Sequence, residues 1–113
     1  MQVHIESREP EATPLRELAQ RRVRFVMRRL AWLVPQATVQ LSDVNGPRGG
    51  VDKRCRVALQ PVGMERVVIT SVARDWRSAL DHALSRAARA LLRQWRRGQA
   101  LPRGLRRALP LER

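Results

Sequence analysis

The amino-acid sequence predicts an α+β domain of order β-α-β-β-β-α, a four-stranded sheet with two helices packed on one face. Three features of the sequence point there. Four short segments alternate apolar and polar residues with period two. Two longer segments repeat their apolar residues every three or four positions. Pro- and Gly-bearing stretches separate these segments at the places where a chain must turn.

The first strand spans 2–7 (QVHIES), with Val3 and Ile5 on one face and His4 and Glu6 on the other. After the loop REPEAT, Thr13 suits an N-cap and Pro14 a first helical position. A helix is then expected to run to Val34, where Pro35 stops it. Its apolar arc is Leu15, Ala19, Val23, Val26, Leu30 and Val34, with Leu18 and Leu33 beside it. Arg21, Arg24 and Arg28 point away, and Arg22 and Arg29 lie at the edge of the arc. Strands follow over 37–43, 52–60 and 66–73, joined by the loop VNGPRGG and the hairpin connection PVGME. The middle one turns Lys53, Cys55, Val57 and Leu59 to one face and Arg54, Arg56, Ala58 and Gln60 to the other. Asp75 can cap the second helix, over 75–97. Trp76, Leu80, Ala83, Leu84, Ala87, Leu91 and Trp95 form its apolar arc, and Arg86, Arg89, Arg93, Arg96 and Arg97 gather opposite. Residues 1–97 thus read as one domain and 98–113 as a mobile basic tail.

The charge is the strongest functional signal. Twenty-three basic residues stand against ten acidic ones, a formal net charge of +13. All the basic residues but Lys53 are arginine. A GC-rich coding sequence explains much of that preference but not the excess over acid. No acidic residue lies between Asp81 and Glu112, so the arginine row on the second helix has no carboxylate at i±4 to pair with. Guanidinium groups grip phosphate bidentately and stack on bases, and an unpaired row of them suits a polyanion. A face tuned for solubility would be served as well by interspersed acids.

Other classes find less support. No apolar run reaches the ~20 residues that cross a bilayer, and the N-terminus lacks the basic start and apolar core of a signal peptide. Cytoplasmic location is the expectation. Cys55 is the only cysteine and reads as a small core residue, and two histidines, His4 and His82, do not make a metal site. Gly46-Pro47-Arg48-Gly49-Gly50 offers a backbone nest or a plain flexible connection, without the GK[ST] ending of a nucleotide loop. Trp32, Trp76 and Trp95 sit at helix ends beside apolar arcs and read as core, although Trp95 stands next to Arg96. No catalytic triad, carboxylate pair or cofactor loop is evident, so neither an enzyme, a cofactor nor a small-molecule substrate is expected.

Several motifs add a family resemblance over residues 1–97. The opening MQVHIES, the helix start Leu15-Arg16-Glu17-Leu18 and the segment Asp75-Trp76-Arg77-Ser78-Ala79-Leu80-Asp81 occur in order. The last resembles the D-hydrophobic-x-x-A-I-D signature of the ribosome hibernation-promoting factors, also described as ribosome-associated translation inhibitors or sigma-54 modulation proteins. Arg86, Arg89 and Arg93 follow where that family carries basic residues. The stretch from Asn45 to Arg56 is richer in Gly and Arg than the family's usual loop.

The resemblance implies a stress or stationary-phase factor that binds ribosomal RNA of the small subunit, in the channel used by mRNA and the A- and P-site tRNAs. Its RNA-binding candidates are Arg86, Arg89, Arg93, Arg96 and Arg97 on the second helix, Arg22, Arg28 and Arg29 on the first, and Arg54 and Arg56 on the sheet. A monomer off the ribosome is expected. The α-β-β-β-α portion is also similar to double-stranded RNA-binding domains, which leaves a free-standing binder of structured RNA as one alternative. A regulatory protein-interaction module is the other, although protein interfaces usually deplete charge at their centre.

Overall fold

Strand alternation and helical periodicity resolve into two layers in a computed structural model, which describes residues 1–7, 14–44 and 53–99. The elements are β1 (Gln2–Ser7), α1 (Arg16–Val26), β2 (Gln36–Asp43), β3 (Lys53–Gln60), β4 (Val67–Ala73) and α2 (Trp76–Gln99). The four strands form one sheet in the order β1-β2-β3-β4. β1 and β2 run parallel, and α1 supplies the crossover that parallel neighbours require. The other two pairs are antiparallel. The expected α+β class and element order stand.

Register places the apolar members of each strand side by side. Ile5, Val39, Val57 and Ile69 make one row across the sheet, and Val3, Ala37, Leu59 and Val67 the next. Both rows face the helices, because a period-two strand can bury only one of its faces. α2 lies over β3 and β4, and α1 lies over β1 and beside α2. The core between the layers includes Val23, Met27, Val39, Val57, Leu59, Leu84 and Leu91, all fully buried. No helix among the described residues is long and apolar enough to cross a membrane.

The first helix departs from expectation. It ends at Val26 rather than Val34, and the chain continues through tight turns to a short 3-10 helix over Ala31–Leu33. Successive i→i+3 bonds hold this stretch, from the Leu30 N–H to the Met27 carbonyl (2.8 Å) and from the Leu33 N–H to the Leu30 carbonyl (2.9 Å). Packing explains the tightening. Met27 and Leu33, six residues apart, are both buried, as two turns of three residues each place them. Pro35 then forces Val34 into extended geometry (φ −122°, ψ 94°), ready for β2. The α1 start differs too: Leu15 occupies the N-cap position without a side-chain bond. Instead Arg16 Nη1 donates to the Ile5 carbonyl at 3.0 Å and ties the helix to the edge strand. Thr13, the Gly46–Gly50 stretch and the residues beyond Gln99 lie outside the described residues.

Two expectations about the tryptophans separate here. Trp76 is buried and Trp95 is half-buried against the core, whereas Trp32 is 69% exposed. The 3-10 turn that buries Leu33 and Val34 leaves Trp32 on the outside. Cys55 is in the core as expected, and burial pushes its thiol pKa from 9.0 up to about 12.

Candidate nucleic-acid interface

The arginines of α2 owe their placement to the helix's opposite face. Ala79, Leu80, Ala83, Leu84, Ala87 and Leu91 are buried against the sheet, so the residues between them must turn outward. Arg86, Arg89, Arg93, Arg96 and Arg97 are accordingly exposed. Asp75 starts this helix as expected. The Ser78 N–H donates to Asp75 Oδ1 at 2.7 Å, and the Ser78 hydroxyl donates to Oδ2 at 3.0 Å. Those two bonds, the backbone one foremost, hold the Asp75 carboxyl below its ordinary pKa. At the other end, Arg96 and Arg97 occupy the last turn, where a cation also complements the helix dipole.

The five α2 arginines are not equivalent. Arg86 Nη1 donates to the Thr70 carbonyl at 3.1 Å and to Ser71 Oγ at 3.2 Å. It therefore ties α2 to the edge strand β4, the kind of strand that otherwise invites pairing with another chain. Arg93 and Arg97 flank a shallow groove between α2 and the start of β4, with Arg66 and Val68 on the other wall. Gln94 fixes that groove, accepting the Glu65 N–H (3.2 Å) and donating to the Glu65 carbonyl (3.1 Å). Arg89, Arg93, Arg96 and Arg97 form no side-chain ion pair or hydrogen bond among the described residues. These are the guanidinium groups left to an outside anion.

The other candidates fall on different surfaces. On α1, Arg22 reaches across to α2 and donates to Asp81 Oδ1 from Nε (3.0 Å) and Nη2 (2.8 Å). That pair ties the helices together and cancels one of the positive charges assigned to RNA. Arg28 sits over the Phe25 ring at 4.3 Å and donates to the Phe25 carbonyl at 2.7 Å. Arg29 is exposed, and its carbonyl accepts the Trp32 Nε1–H at 3.1 Å.

Arg54 and Arg56 project from the sheet face that no helix covers. Arg54 Nε donates to Ser42 Oγ at 3.1 Å, and Arg56 Nη1 to Gln40 Oε1 at 3.2 Å. The bare face and the α2 stripe thus point to opposite sides of the sheet. Both sheet arginines lean toward β2, away from the β4 edge that Arg86 holds.

Arg66 is the residue that sequence reasoning missed. It lies at the foot of β4, facing the same groove as Arg93 and Arg97. Its role depends on β4 being the edge strand beneath α2, which local periodicity does not reveal. Among the described residues there is no group of three or more His, Cys, Asp or Glu side chains placed to hold a metal ion. Compared with known proteins, the chain matches no family model and no curated sequence.

Proposed function

We propose that this protein is a ribosome-associated hibernation or translation-inhibition factor, acting in the cytoplasm. It would bind small-subunit ribosomal RNA in the channel used by mRNA and the A- and P-site tRNAs. The observation that carries this reading is the exposed row Arg89, Arg93, Arg96 and Arg97, which finds no carboxylate among the described residues. A row of that kind is stabilised by a line of phosphates, and double-helical or folded RNA provides one. The β-α-β-β-β-α order and the Asp75–Asp81 motif support the ribosome as the source of that RNA.

The mechanism is occupation. A two-layer domain filling an RNA-walled channel excludes mRNA and tRNA by volume, and the arginines supply affinity through counterion release. No bond is made or broken. In cell-free translation, added protein is expected to inhibit initiation on vacant ribosomes, and preassembled initiation complexes are expected to resist it. Equal inhibition of both would contradict channel occupation. A protein that binds long RNA duplexes and leaves translation untouched is instead a free-standing structured-RNA binder.

A further inference from the structure

We infer that Trp32, backed by Trp95, is a stacking platform for an unstacked base of single-stranded RNA, a contact distinct from the phosphate-binding row on α2. This inference rests on the RNA-binding reading above and adds a second mode of recognition to it.

Four observations carry it. Trp32 is 69% exposed and Phe25, one helical stretch before it, is 60% exposed. An exposed tryptophan ring lies outside the core and offers π surface on which a base can stack. The Trp32 ring is nonetheless held. It meets Trp95 edge to face, with centroids 6.4 Å apart and planes at 89°, and its Nε1–H is satisfied by the Arg29 carbonyl at 3.1 Å. Trp95 is itself half-buried against the core, so the platform has a rigid backing. A ring fixed before its ligand arrives loses little entropy on binding.

The surroundings decide the kind of ligand. Arginines are interleaved with these aromatic residues along the chain: Arg28 over Phe25, Arg29, whose carbonyl holds the Trp32 ring, and Arg96, next to Trp95 in sequence. Cores of protein interfaces are depleted of charge, whereas single-stranded nucleic acid is bound by aromatic rings interleaved with cations. Bases within a duplex are already stacked on each other and cannot use such a ring. A base of a loop or single strand can.

The test uses the full chain and two labelled probes of about eight nucleotides, a length within the usual site sizes for single strands. One is an oligoadenylate, and the other is the same sugar-phosphate chain without bases. The unaltered protein is expected to prefer the oligoadenylate and to lose tryptophan emission on binding it. Trp32→Ala should weaken oligoadenylate binding roughly 5- to 100-fold and leave the abasic probe unaffected, and Trp32→Phe should restore most of the loss. Arg89→Ala with Arg93→Ala should weaken both probes.

Unchanged oligoadenylate affinity in Trp32→Ala, or an equal loss for both probes, would overturn the platform. So would a wild-type protein that binds the two probes equally, and in that case the RNA reading survives. If the unaltered chain binds neither probe nor ribosomal RNA, both proposals fall.

Discussion

Separating the two faces of α2 by mutation gives the sharpest check on the structure. Leu91 is fully buried, and Leu91→Ala deletes three carbons from the centre of the helix–sheet interface. At about 0.8 kcal/mol per buried methylene the transfer loss is ~2.4 kcal/mol. The cavity left behind brings the total toward ~3 kcal/mol, within the usual range of about 2–5 kcal/mol. A domain of about 100 residues unfolds with an entropy near 0.2 kcal/mol/K, so the melting temperature should fall by roughly 15 °C.

Arg89 and Arg93 lie less than one turn away but are exposed. Their joint replacement by Ala should move the melting temperature by no more than about 3 °C. The same double variant should flatten the log–log dependence of RNA affinity on salt by about 1.4–1.8, from two lost phosphate contacts. Thermal unfolding followed by circular dichroism, with a salt titration of RNA binding, reads all three. An Arg89/Arg93 variant that unfolds, or a Leu91→Ala protein within a few degrees of wild type, would refute this placement of faces.

Further outcomes follow from single contacts. Arg86→Ala, unlike Arg89→Ala, should cost about 1 kcal/mol in denaturant titration, because Arg86 holds the Thr70 carbonyl and Ser71 hydroxyl. The Asp75 cap has a folded pKa below its unfolded one, so its contribution is complete above the ordinary carboxylate value of about 3.9 and is lost as pH falls through the lower folded value. The melting-temperature gap between wild type and Asp75→Ala should therefore close in strong acid and be widest near neutrality. For Cys55 the sign reverses. The unfolded thiol ionises near 9 and the folded one only near 12, so unfolding releases a proton and stability falls as pH rises across that interval. A disulfide reagent at pH 8 should label Cys55 no faster than the protein unfolds.

The parts of this molecule that local chemistry dictates were legible in the sequence. α2 combines a long apolar arc with an Asp75 cap, and β2, β3 and β4 alternate without interruption, so their bounds fell within a residue or two of the structure. The end of α1 was not legible. Residues 27–34 keep an apolar pattern that fits a continuing helix, and only packing of Met27, Leu33 and Val34 against the sheet selects the tighter turn. The exposure of Trp32 follows from that same turn. On the candidate site, the outward α2 row could be read from periodicity alone. The Arg22–Asp81 pair, 59 positions apart, and the hold of Arg86 on β4 could not, since both depend on which elements become neighbours. Arg66 joins Arg93 for the same reason.

Binding to vacant small ribosomal subunits is the most direct measurement. The protein is mixed with small subunits that are empty, or preloaded with mRNA and initiator tRNA, and the mixtures are sedimented through sucrose at near-physiological salt. Occupation of the decoding channel requires the protein to travel with the empty subunits and to be excluded from the loaded ones. Equal sedimentation with both, or with neither, would contradict it.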